Sequence, residues 1–212
     1  MDLHQWLSEH YQIYTDKLPH IIPGVKRNDM AKWFFEWGFT RGVEVGTASG
    51  EFAETLCISN PNLQLTCVDA WQIYPEYHDF TLQEKLNYLY RRAKQRLAPY
   101  KATLVREFSE KAAKQFPDGY FDFVYIDANH ELNYVIQDLY SWIPKVKKGE
   151  IISGHDYIKS QPFPTLQVVE AVHAYTSAKR INKWYVLGRR RGGENSPRKI
   201  LYCSRTWLWI NE

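Results

Sequence analysis

The sequence predicts an α/β fold, a doubly wound and mostly parallel sheet with helices on both faces. Three observations carry this. Apolar strand-like runs alternate with helical repeats almost throughout. The first such run, Val43-Glu44-Val45, leads into a glycine turn and then a helix. Acidic residues recur at the ends of successive strands. Composition agrees: 44% hydrophobic and 24% charged residues over 212 positions suit a globular chain with a sizeable core, and 1–212 reads as a single domain.

Residues 1–40 supply N-terminal helices. Leu3, Trp6, Leu7, His10, Tyr11 and Tyr14 recur at helical spacing, Pro19 and Pro23 interrupt, and a second helix spans 28–38, capped by Asn28-Asp29. The aromatic face of the first helix suggests a homodimer. The first strand covers 43–45, and its helix carries Phe52, Ala53, Leu56 and Ile58. Asn60-Pro61-Asn62 turns the chain into a second strand, 63–68, ending at Asp69. Residues 71–98 read as an insertion and substrate lid, with an irregular aromatic stretch, 71–80, and a basic helix, 81–98. A third strand spans 102–105, a short helix opens at Ser109, and a buried fourth strand, 121–126, ends at Asp127-Ala128-Asn129-His130. The next helix runs from Glu131 toward Pro144 and closes at Lys147-Lys148-Gly149. A fifth strand, 150–153, ends at Gly154-His155-Asp156, and a helix follows at 165–178. Two final strands, 183–187 and 200–204, make an antiparallel C-terminal hairpin around a polar loop, 188–199. The result is a seven-stranded, Rossmann-like sheet.

Several function classes are disfavoured. The formal net charge of +3 is too small to imply a duplex-binding surface. Cys57, Cys67 and Cys203 form no CxxC pair, so neither a disulfide framework nor a zinc knuckle is indicated. No stretch approaches the ~20 apolar residues of a membrane span, and the charged start lacks an apolar leader core, so the expected location is cytoplasmic. Arg91, Arg92, Lys94 and Arg96 crowd one helix, and Arg189, Arg190, Arg191, Arg198 and Lys199 crowd the loop 189–199. These clusters are either solvated faces or a grip for a phosphate-bearing substrate.

In a doubly wound sheet, ligands bind outside the carboxyl ends of the strands, where strand order reverses. Gly46 and Gly50 let the backbone bend beneath a ligand, and Asp69, about 20 residues on, suits ribose hydroxyls. Ala48 replaces the middle glycine of a dinucleotide fingerprint, which disfavours a pyrophosphate, and Glu44 suits a cationic ligand better. Asp127 and Asp156 end adjacent strands and have helix-capping or turn-closing as their bland alternative. His130 and His155 are candidate general bases, since an imidazole can take a hydroxyl proton at neutral pH. His78 stands in the aromatic stretch of the lid.

VEVGTASG followed by VDAW resembles the first two cofactor motifs of class I S-adenosylmethionine-dependent methyltransferases. YFDFVYIDANH, KKGEIISGHDY and the terminal TWLWI are similar to the small-molecule O-methyltransferase branch that includes macrocin O-methyltransferase. The resemblance implies that Gly46, Thr47 and Gly50 wrap the methionine portion of S-adenosylmethionine, with Glu44 holding the loop. It implies Asp69 at the ribose, Trp71 on the adenosine side, Ser109 near the adenine, and Asp127 near the amine and sulfonium. It further implies transfer to a hydroxyl of a small molecule, a sugar or sugar-like metabolite, with Asp127, His130, His155 and Asp156 as catalytic candidates. Asp127, His155 and Asp156 are also a candidate ligand set for Mg or Mn, which would lower the pKa of a coordinated hydroxyl. The His155-Asp156 pair departs from the two hard oxygen donors expected for Mg, and histidine suits softer metals. The alternatives are RNA methylation, against which the absence of an N/D-P-P-Y motif speaks, and cofactor binding without catalysis.

Overall fold

Short runs of β-branched and aromatic residues, punctuated by glycine, proline and asparagine, become strands. In parallel pairs, the intervening helical segments carry the chain back across the sheet. The computed structural model describes residues 2–75, 77, 81–159, 162–188 and 205–212. Its strands are β1 (His20–Ile22), β2 (Arg41–Val45), β3 (Gln64–Asp69), β4 (Ala102–Arg106), β5 (Phe121–Ile126), β6 (Val146–Gly154), β7 (Trp184–Leu187) and β8 (Trp207–Ile210). The helices are α1 (Leu3–His10), α2 (Arg27–Glu36), α3 (Glu51–Ser59), α4 (Gln83–Leu97), α5 (Ser109–Ala113), α6 (Leu132–Trp142) and α7 (Val168–Ala178). One sheet has the order β1-β7-β8-β6-β5-β2-β3-β4. Within it β8 runs antiparallel to β6 and β7, and the remaining pairs are parallel.

Among the described residues the sheet therefore has eight strands where the sequence predicts seven. The addition is β1, three residues squeezed between Pro19 and Pro23, which pairs with Tyr185–Leu187 at the sheet edge. Three residues are too few for a period to show, and the flanking prolines read only as breaks. The partner of β7 is Trp207–Ile210, whereas the predicted strand at 200–204 lies outside the described residues, as do His78 and the basic loop 189–199. The second helix begins at Arg27, and Asp29 accepts a hydrogen bond from the Lys26 backbone N–H at 3.0 Å, three residues before it, in place of the Asn28-Asp29 cap. Strand β6 starts at Val146, ahead of the Lys-Lys-Gly predicted to end a helix.

All six β5 residues are buried, and from Phe123 to Ile126 their side chains alternate between two cores. Phe123 and Tyr125 join Trp6, Trp33 and Phe34 on the face covered by α1, α2 and α3. Val124 and Ile126 join Leu139, Trp142 and Trp207 on the α6 and α7 face. The apolar face of α1 is thus covered by its own chain: Leu3, Trp6 and Leu7 are buried. Helix α4 is the crossover between β3 and β4. Trp71, two residues past β3, packs with Leu86, Leu89 and Ala93 of α4.

Candidate functional site

The chain leaves β2 toward β3 and β4 on one side, and β5 lies on the other, so the winding reverses between β2 and β5. A crevice opens at such a point because the two helical connections depart in opposite directions. Gly46 makes the junction tight. Its φ is +95°, its N–H donates to the Val68 carbonyl at 2.8 Å, and a Cβ there would lie 2.0 Å from the Asp127 carbonyl oxygen. Gly50, at φ +78°, caps α3 in the left-handed conformation that glycine adopts without penalty. The cleft above this junction has a volume of about 270 Å³, and its wall includes Gly46, Asp69, Phe108, Ser109, Asp127 and His130.

Asp69 closes one end. Its two carboxylate oxygens accept hydrogen bonds from the backbone N–H groups of Ala48, at 2.9 Å, and Trp71, at 2.7 Å. Burial raises its pKa, and those two N–H groups oppose the rise. Each oxygen has a second lone pair for a ligand hydroxyl. Of the residues the resemblance assigned to the cofactor, Gly46, Asp69, Ser109 and Asp127 line the cleft. Glu44, Thr47, Gly50 and Trp71 are not on its wall. Trp71 is fully buried, and its indole N–H donates to the Ala48 carbonyl at 2.8 Å, so it braces the glycine turn from behind. Glu44 lies beneath, where burial raises its pKa to about 8 against the pull of the Thr47 hydroxyl and Arg27. Tyr74 reaches over from the irregular stretch, its hydroxyl accepting a hydrogen bond from the Asn129 amide at 3.0 Å.

Past Asp127 and His130 on the cleft wall, the four catalytic candidates come together, with His155 and Asp156 outside that wall. His130 Nε2 stands 2.9 Å from Asp156 Oδ2 and 3.6 Å from Asp127 Oδ1. His155 Nδ1 stands 3.2 Å from Asp156 Oδ1 and 3.8 Å from Asp127 Oδ2. Asp156 therefore sits between two imidazoles. Burial would raise its pKa, yet hydrogen bonds from His130 and His155 hold it well below the usual carboxylate range. Burial likewise opposes the charged form of His155, and the Asp127 and Asp156 carboxylates outweigh it and raise its pKa. Asp156 has φ +50°, a conformation Asp tolerates better than most residues. The ligand atoms of Asp127, His130 and Asp156 lie within 4.8 Å of one another. The predicted metal set had His155 in place of His130. The turn after β5 instead carries the His130 ring across to Asp156.

Two residues of the site escaped sequence reasoning. Arg27, at the start of α2, lies over the Phe52 ring with Nη1 3.5 Å from Asp127 Oδ2. No local pattern connects it to a strand end a hundred residues later. Asp138 lines the cleft and is buried on the face of α6 that also buries Val135, Leu139 and Trp142. An acid on an apolar helical stripe was a readable signal.

The chain matches the family described as "Methyltransferase domain" over residues 43–157, more than half its length. No curated protein matches it. Among solved structures, it resembles an O-methyltransferase from Bacillus cereus in complex with SAH, with 12% identity, a TM-score of 0.61, and coverage of 98% of this chain and 88% of that one. Cofactor-bound Rv0187 from MTB gives 15% identity and a TM-score of 0.59, covering 99% and 88%. The N-methyltransferase NodS from Bradyrhizobium japonicum WM9 gives 14% and 0.57, covering 87% and 94%. At such identities the likeness establishes the fold, which O- and N-methyltransferases share.

Proposed function

We propose, from the premise that this chain belongs to the methyltransferase-domain family and is an S-adenosylmethionine-dependent methyltransferase, that it methylates a hydroxyl group of a small molecule. The observation that carries the reading is the His130–Asp156 contact of 2.9 Å beside Asp127 at the mouth of the glycine turn. When bound, S-adenosylmethionine supplies an electrophilic methyl group on a positively charged sulfur. Asp69 offers its spare lone pairs to the ribose hydroxyls, and the Asp127 carboxylate offers negative charge to the cationic end of the donor. His130 accepts the proton of the acceptor hydroxyl through Nδ1, since Nε2 faces Asp156. Asp156 orients that imidazole and stabilises its protonated form. A general base so placed contributes about 10²–10⁴-fold in rate. Aligning donor and acceptor within one cleft adds to this by removing motional freedom.

A divalent metal is a second reading, favoured by the convergence of Asp127, His130 and Asp156. Two carboxylates and an imidazole fit a first-row ion such as Mn better than Mg. Such an ion would supply Lewis acidity toward the acceptor hydroxyl, and His130 would then serve as ligand rather than base.

Calorimetric titration of S-adenosylhomocysteine into metal-free protein, repeated with Mg²⁺ and with Mn²⁺, tests both readings. Saturable binding without metal supports the donor site, and binding or turnover strengthened by Mn²⁺ supports the ion. Asp156→Ala should retain S-adenosylhomocysteine binding and lose turnover on hydroxylated acceptors. Unchanged turnover in that variant would remove the base and the metal together.

A further inference from the structure

We propose that Asp138 reads the base of the methyl donor by accepting a hydrogen bond from the 6-amino group of adenine. The inference rests on the donor orientation proposed above and extends it to a residue outside the glycine turn and the acid at the end of β3. With the ribose at Asp69 and the cationic end at Asp127, the base must occupy the remaining part of the cleft. That part is walled by Phe108, Ser109, Asp138 and the rings of Tyr74 and Tyr77. Flat apolar walls suit a purine, and such a slot needs a polar group to choose between purines.

Ser109 is already committed. The Trp142 indole N–H, which can only donate, gives its hydrogen to Ser109 Oγ at 2.8 Å. The Ser109 hydroxyl hydrogen then goes to Asp138 Oδ1. The direction of this chain is fixed from the indole inward, and it ends on a carboxyl group with acceptor capacity left over. Among the described residues, Ser109 is the hydrogen-bond partner of Asp138. A buried carboxyl on the apolar stripe of a helix is costly, and one hydrogen bond does not offset that cost. Burial raises its pKa to about 7. A ligand N–H donor in the slot would relieve the deficit. Gln137 also lines this part of the cleft but is exposed to water, which competes for its hydrogen bonds.

The experiment compares binding of S-adenosylhomocysteine with its 6-oxo analogue, S-inosylhomocysteine, and with the 6-unsubstituted purine analogue. The wild type should favour the adenine ligand over both by about 10-fold or more, because the 6-oxo group presents an acceptor to an acceptor and the purine presents nothing. Asp138→Asn keeps an oxygen for Ser109 and adds an N–H₂ donor, so its preference should shift toward the 6-oxo ligand. An Asp138→Asn protein that discriminates like the wild type would overturn the proposal. So would a wild type that binds the purine analogue as well as the adenine ligand, a test that needs no variant. Failure of the wild type to bind any of the three would instead overturn the donor site, and this inference with it.

Discussion

Asp69 on the cleft wall and Asp156 behind His130 use the same device, an acid at the carboxyl end of a parallel strand, and the fold treats it in opposite ways. Asp69 is held by two backbone N–H groups, and burial raises its pKa. Asp156 is held by two imidazoles, and its pKa lies well below the usual range. Backbone partners cannot change protonation state, so Asp69 is a fixed acceptor suited to neutral hydroxyls. Imidazole partners can, and this is what supports the proposal that Asp156 belongs to a network that moves protons. The difference teaches that position in the fold makes a residue part of the site, while its hydrogen-bond partners decide its task.

The largest expected contrast comes from removing each network in turn. His130→Ala should lower turnover by about 10²–10⁴-fold with S-adenosylhomocysteine affinity nearly unchanged, measured by single-turnover kinetics and calorimetry. Equal losses in binding and turnover would mean that the two networks do not divide the labour. Beneath the cleft, Glu44 sharpens the electrostatic side of the comparison. Its carboxyl rises from 4.5 in the ordinary state to about 8 when folded. Between those values the unfolded chain has released a proton that the folded chain retains, so this group lowers stability as pH rises through the window. Glu44→Gln should therefore gain on the wild type by roughly 1 kcal/mol per pH unit from pH 4.5 to about 8 in urea unfolding, with no further gain outside that range. Asp69→Ala should weaken S-adenosylhomocysteine binding by about 10–100-fold, mirroring the His130 variant, since a hydrogen bond to a charged group is worth about 1.5–3 kcal/mol. The smallest effect is expected away from the cleft. Arg96 pairs with Glu54 at 2.7 Å, partly exposed, and Arg96→Ala should cost about 1 kcal/mol or less in stability, with salt reducing the loss.

The reach of sequence reasoning followed the range of the interactions. Strands β2 to β6 and helices α3 to α7 were visible because each has a local period or a glycine, proline or asparagine at its end. Strand β1 was not, because its place is set by pairing with β7, more than 160 residues away in the chain. Gly46, Asp69, Asp127 and His130 were legible as strand-end residues, and all four line the cleft. The place of Trp71 after Asp69 suggests a ligand contact, yet a left-handed φ of +43° turns it into the α4 core.

By itself, the sequence determined the alternating architecture, the glycine turn and the acids at the strand ends, since these depend on backbone sterics and on periods spanning a few residues. Only the tertiary structure decided that His130 meets Asp156, that Arg27 leans on Asp127, and that Asp138 faces the cleft beside Ser109. Those meetings join separate elements of the fold. Their geometry is set by how the strands order themselves in the sheet and how the helices pack on it, which no local pattern encodes.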